Sequence, residues 1–196
     1  MFTGIIEAIG QVDRIIKEGT NLRFRIQSPI SSQLKIDQSV SHQGVCLTVV
    51  TVDGNYHEVV AVQETLLKSN LSQWQVGSIV NLERCMIANG RFDGHIVQGH
   101  VDLTGRCIGI KDENGSWLFD FEHPEDDYIV TVEKGSIAVN GVSLTCFHTK
   151  RNGFRVAIIP YTYEHTSFNT MKVGDEVNLE FDIIGKYVKR LLDLRS

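Results

Sequence analysis

Cys46 and Ser143 occupy the variable position of two Gly-Val-x-Leu-Thr blocks, Gly44–Thr48 and Gly141–Thr145, so a thiol faces a hydroxyl at equivalent places in one motif. A thiolate attacks carbon; a hydroxyl more often donates a hydrogen bond. In the same alignment His100, within Gly99-His100-Val101, matches Ile5 within Gly4-Ile5-Ile6, while Lys134 matches Asp37 and Asp182 matches Cys85. The second copy therefore carries His100, Lys134, Ser143 and Asp182, side chains that move protons or balance charge, where the first carries none of them. A histidine titrating near pH 6.5 can act as acid or base. Each residue also has a plainer role. His100 could be an ordinary hydrogen-bonder, Cys46 a small apolar strand residue, and Lys134, before Gly135, a solvated turn residue. Asp182 could simply cap a helix, and Thr48, Ser143 and Thr145 could bond the backbone.

What lifts these residues above their plainer roles is the repeat that relates them. Residues 39–48 (SVSHQGVCLT) and 136–145 (SIAVNGVSLT) share five of ten positions at an offset of 97. Residues 76–83 (VGSIVNLE) and 173–180 (VGDEVNLE) share six of eight at that offset. The stretch TGIIEAIGQV has a weaker echo in QGHVDLTGRC at an offset of 95, with Gly4 on Gly99 and Gly10 on Gly105. Three collinear matches over most of each half make the chain two copies of one fold, residues 1–95 and 96–196.

Each copy reads as all-β. Val-, Ile-, Phe- and Thr-rich segments recur between turn signals such as Asp53-Gly54-Asn55 and Asn114-Gly115. Leu22–Ile26 alternates apolar and polar residues, as a strand with one wet face does. About six strands in about 90 residues predict a small closed barrel in each half, with short helical turns near Glu64–Asn70 and Tyr163–Asn169. After Asp182 the period changes. Ile183, Ile184, Tyr187, Val188, Leu191 and Leu192 fall at helical spacing, with Lys186, Lys189 and Arg190 between them. A helix of about three turns is marginal alone, so this stripe must pack either on its own barrels or between subunits.

Composition narrows the classes. Of 196 residues, 42% are hydrophobic and 22% charged, enough apolar matter for a core. A net charge of −5 argues against broad nucleic-acid binding. No apolar run approaches the roughly 20 residues that cross a bilayer, and the first thirty residues lack the pattern of a secretory signal. The four cysteines form no C-x-x-C pair and have no paired histidines nearby, which disfavours zinc and suggests reduced thiols in a cytoplasmic protein.

Met1-Phe2-Thr3-Gly4-Ile5, the block Ser39–Val49, Gly99-His100-Val101, Lys134-Gly135 and Gly141–Thr145 together resemble riboflavin synthase of the α-chain type, collinearly over the whole chain. That resemblance implies two six-stranded β-barrels in tandem with a C-terminal trimerisation helix, assembled as a homotrimer. It implies dismutation of two 6,7-dimethyl-8-ribityllumazine molecules, a four-carbon unit passing from one to the other, with no metal or redox cofactor. The active site is expected between the first barrel of one subunit and the second barrel of a neighbour. Association with lumazine synthase stays open.

The resemblance also suggests site residues. On the first copy these are Gly4, Ile5 and Ile6, then Cys46, Leu47 and Thr48, then Val60, Ala61, Val62, Gln63, Glu64 and Thr65. On the second they are Gly99, His100 and Val101, Lys134, and Ser143, Leu144 and Thr145. Ala157, Ile158, Ile159, Pro160, Tyr161 and Thr162 complete that set, Tyr161 departing from the first copy's Glu64. The reaction removes a proton from the C7 methyl, a task that suits His100. Lys134 would stabilise negative charge on the pyrimidine oxygens, and Asp182 would orient or balance a neighbour. Ser39, Cys46 and Ser143 would bond the ring or assist an adduct at C7, and holding two rings together supplies rate by itself. A rival class is a lumazine- or flavin-holding protein without turnover, which has no need of His100 or Asp182. A flavin-dependent reductase is more distant, since no G-x-G-x-x-G unit is present.

Overall fold

A computed structural model describes residues 1–126 and 130–194. In the first half β1 (Ala8–Glu18), β2 (Asn21–Gln27), β3 (Ser39–His42), β4 (Val45–Asp53), β5 (Tyr56–Ala61) and β6 (Ile79–Arg84) close antiparallel in the order β1-β2-β5-β4-β3-β6. In the second, β7 (Leu103–Asp112), β8 (Trp117–Glu122), β9 (Ser136–Val139), β10 (Val142–Lys150), β11 (Gly153–Ile158) and β12 (Glu176–Phe181) close with the same connectivity. Closure leaves neither barrel a free edge. Two all-β barrels, as the repeat implied, are what forms.

Strand alternation decides which residues are available for chemistry. On β4, Val45, Leu47 and Val49 point into the first core while Cys46 and Thr48 point out. On β10, Val142 and Cys146 are buried and Ser143 and Thr145 point out.

Between β5 and β6 lies α1 (Gln63–Lys68), and between β11 and β12 lies α2 (Pro160–His165). The second begins earlier than the Tyr163–Asn169 expectation because Pro160 sits in its first turn, where a fixed φ and a missing N–H are harmless. The terminal stripe forms α3 (Ile183–Asp193), capped by Asp182, whose carboxylate accepts the Ile184 N–H at 3.0 Å. None of its residues is buried, and Tyr187 and Leu191 are 68% and 59% exposed. The stripe does not dock on its own barrels.

The barrels meet about a pseudo-twofold axis built from repeat-related residues. Asn81 donates to the Asn140 carbonyl at 3.0 Å and accepts the Ser167 N–H at 2.7 Å. Asn178 donates to the Gln43 carbonyl at 2.9 Å and accepts the Asn70 N–H at 2.7 Å. At the axis, Gly44 and Gly141 (φ +82 and +80) touch backbone to backbone; a Cβ on Gly44 would lie 2.7 Å from the Gly141 nitrogen. Only glycine fits there.

Candidate functional site

The outer face of β3 and β4 presents Ser39 opposite Thr48 and Ser41 opposite Cys46. The segment that crosses this face comes from the interbarrel linker. The Cys46 N–H donates to the Gly99 carbonyl at 2.8 Å, and a Cβ on Gly99 would sit 2.6 Å from the Cys46 Cβ. Val101 packs on the first barrel's core and His100 stays exposed.

The second barrel has the mirrored arrangement. The Ser143 N–H donates to the Gly4 carbonyl at 2.8 Å, a Cβ on Gly4 would sit 2.6 Å from the Ser143 Cβ, and Ile6 packs on the second core.

The two segments preceding β1 and β7 are thus exchanged, and the grouping drawn from the repeat needs correcting. Gly99, His100 and Val101 belong with Cys46 on the first barrel; Gly4, Ile5 and Ile6 belong with Ser143 on the second. The cause is that each segment bridges. Gly4 gives its N–H to Glu83 of the first barrel at 2.9 Å while its carbonyl reaches the second. Gly99 gives its N–H to Glu180 of the second barrel at 2.8 Å while its carbonyl reaches the first. The two straps also pair with each other through Phe2 and Val97, N–H to carbonyl at 2.7 and 3.1 Å. Sequence proximity assigns a strap to the strand that follows it; hydrogen bonding assigns it to the neighbouring barrel.

The remaining positions fall into three groups. Val60, Val62, Gln63, Glu64 and Thr65 run from β5 into α1, with Val62 52% exposed, and Ala157, Ile159, Pro160, Tyr161 and Thr162 form the equivalent edge. Leu47, Ala61 and Ile158 are buried in the barrel cores and Leu144 packs against one, so they reach a ligand only through the main chain. Lys134 lies in a turn at φ +64, its N–H donating to the Cys146 carbonyl of β10 at 2.9 Å and its ammonium 4.9 Å above the Phe147 ring.

One participant, His95, carries no signal in the sequence. The His95 Nδ1 lies 2.6 Å from the Ser143 Oγ. Burial lowers the His95 pKa, and the Asp182 carboxylate nearby partly restores it, so the ring is neutral at pH 7. Its Nε2 is buried without a hydrogen-bond partner among the described residues. Ser143, His95 and Asp182 therefore form one neighbourhood on the second barrel, with Asp182 also serving as the helix cap considered for it. His100 and Cys46 form another on the first. Glu83 and Glu180 end the V-N-L-E segment that is identical in both copies. Burial raises the pKa of both carboxyls, and backbone N–H donors pull them back down. Among the described residues no cluster of three His, Cys, Asp or Glu side chains could hold a metal ion.

The family model for the lumazine binding domain matches residues 3–85 and again 98–182. The chain belongs to the riboflavin synthase family. It is 41% identical over 198 residues to riboflavin synthase of Mycobacterium bovis, covering 98% of both chains. It is 39% identical to that of Actinobacillus pleuropneumoniae, over 98% of this chain and 90% of the relative. Its fold is shared with LumP, solved in complex with riboflavin (TM-score 0.85, 22% identity, 92% of this chain and 99% of that one). Both matched segments begin inside a strap and end just beyond β6 or β12, so the family's repeat unit includes the segment that crosses over.

Proposed function

We propose that this chain is a riboflavin synthase in action as well as in family. It binds two 6,7-dimethyl-8-ribityllumazine molecules and moves a four-carbon unit from one to the other, giving riboflavin and 5-amino-6-ribitylaminouracil. The exchanged straps carry this reading. They give two pseudo-equivalent faces unequal chemistry, His100 with Cys46 on one and Ile5 with Ser143 and His95 on the other. Two identical substrates need a similar cradle each and different treatment, and the duplicated fold supplies both.

On the first face His100 is the acid or base for the C7 methyl proton, and Cys46 or Ser39 contacts the ring. On the second, neutral His95 accepts the Ser143 proton or donates to its oxygen, so that Ser143 bonds the heterocycle with a defined polarity. Lys134 beside β10 supplies positive charge, and Thr48, Thr65, Thr145 and Thr162 supply hydroxyls for the pyrimidine edge and ribityl chain. Stacking two rings at reaction distance contributes the proximity term.

The faces are open on one chain. Val62 and Ile159 are 52% and 59% exposed, and the bare stripe of α3 asks for apolar cover. Both fit a homotrimer in which residues 1–95 of one subunit face residues 96–196 of the next. Four free thiols support a reducing, cytoplasmic setting, and no helix among the described residues is long and apolar enough to cross a membrane. Purified protein mixed with the lumazine should develop riboflavin absorbance. Tight binding without turnover would instead make it a carrier on this fold. Sedimentation alone and with lumazine synthase reads the trimer and any complex between the two.

A further inference from the structure

Two buried carboxylates outside the reacting faces hold the straps. Glu180, 3% exposed on β12, accepts the N–H of Gln98 at 2.6 Å, of Gly99 at 2.8 Å and of His100 at 3.0 Å. Glu83, 4% exposed on β6, accepts the N–H of Thr3 at 2.7 Å, the Thr3 hydroxyl at 2.9 Å and the Gly4 N–H at 2.9 Å. A buried carboxylate is costly unless donors surround it, and here successive backbone N–H groups do so. The geometry is directional: Glu180 belongs to the second barrel yet fixes the segment that covers the first, and Glu83 does the reverse.

We propose that Glu180 is the positioning residue for His100 beside Cys46, that Glu83 is its counterpart for Ile5 beside Ser143, and that each barrel thereby sets the geometry of the other barrel's substrate face. This rests on the functional reading above and adds the residues through which each face, built on its own strands, depends on the other barrel for the placement of its strap. Asp102 supports the Glu180 clamp: it accepts the Phe181 N–H at 2.9 Å and pairs with Lys186 of α3 at 2.8 Å, tying the strap's exit to the terminal helix.

Glu180→Gln and Glu83→Gln keep shape and volume but turn one acceptor oxygen toward backbone donors as an NH2. In the full-length protein, alkylation of Cys46 by iodoacetamide, mapped by mass spectrometry, should rise about fivefold in Glu180→Gln and stay within twofold of wild type in Glu83→Gln. In the same samples Glu180→Gln should weaken one of two lumazine-binding events per chain at least tenfold, Glu83→Gln should weaken the other, and kcat for riboflavin formation should fall at least tenfold in Glu180→Gln. Equal alkylation in both variants, or equal weakening of both binding events with a lowered Tm, would make the carboxylates merely structural and overturn the proposal. If wild type binds but makes no riboflavin, the functional reading fails while alkylation and binding still decide the clamps. Should Glu180→Gln be insoluble, Glu180→Asp withdraws the carboxylate by one methylene and carries the same test with the same direction.

Discussion

The two barrels share a strand order and an axis of hydrogen bonds, yet their interiors were filled on different principles. The first holds a buried polar chain. His42 and His57 meet Nε2 to Nε2 at 2.8 Å, the His57 Nδ1 lies 2.8 Å from the Ser31 hydroxyl, and that hydroxyl lies 2.8 Å from Ser28. At the repeat-equivalent positions the second barrel has Val139 and Phe154, and its core is an aromatic cluster of Phe119, Phe121, Phe154, Phe168 and Phe181. The faces differ in the same spirit. Shared topology fixes where a ligand can lie, and the residues free to diverge decide what happens to it.

The comparison is broken most completely by removing α3, the helix proposed to bring one face to another. Deleting residues 184–196 takes away the exposed stripe and the Lys186–Asp102 ion pair but, among the described residues, no strand and no fully buried side chain. Folded barrels with no trimer by sedimentation and no detectable riboflavin formation are expected. A truncated chain that remained trimeric would show that the barrels themselves carry the contact.

Next comes the unequal pair of strap side chains. His100→Ala should lower kcat by about 10²-fold, the scale of a positioned acid–base group. Ile5→Ala, at the matching position of the other strap, should cost less than tenfold and act mainly on KM. A loss under threefold for His100→Ala would take the proton-transfer role from it and leave His95 as the alternative.

The interiors differ in acid. Burial depresses both His42 and His57, His57 to about 4 from 6.5, with the proximity of His57 adding to the effect on His42. The unfolded chain binds these protons first, so the stability of the first barrel is complete above about pH 6.5 and is lost as pH falls toward 4. For His57 alone the shift corresponds to about 3 kcal/mol at pH 4. Circular dichroism should show a transition in this range that His42→Val/His57→Phe, importing the second barrel's residues, moves to lower pH. An unchanged acid midpoint in that double variant would show that the buried histidine pair does not set the acid transition.

Much of this was legible beforehand because it is local. The V-N-L-E and G-V-x-L-T identities marked the repeat, alternation on Leu22–Ile26 marked strands, and the spacing after Asp182 marked α3 with its cap. What could not be read is the crossing of the straps. A segment four residues ahead of β1 or β7 belongs by sequence to the barrel it leads into; only the carbonyls of Gly4 and Gly99, donated to from the neighbouring barrel, show otherwise. His95 was hidden for a similar reason. Its partner Ser143 is 48 residues away, and no spacing rule connects them.

The smallest expected effect lies where the copies differ without an evident role in the chemistry. Tyr161 replaces the first copy's Glu64 at the start of α2; it is 69% exposed, its ring stacks on His165 at 4.1 Å, and its carbonyl lies 2.8 Å from the His165 Nδ1. Tyr161→Glu removes the stack, worth at most about 0.5–1.5 kcal/mol and less at an exposed site. It also places a carboxylate in the first turn of a helix, where the dipole returns about 0.3–1 kcal/mol. The carbonyl contact is backbone and survives. These terms nearly cancel, so Tm should move by less than about 3 °C and KM by less than threefold. A tenfold rise in KM with an unchanged Tm would mean that the exposed ring lies on the substrate, giving the second face an aromatic contact where the first has a charge.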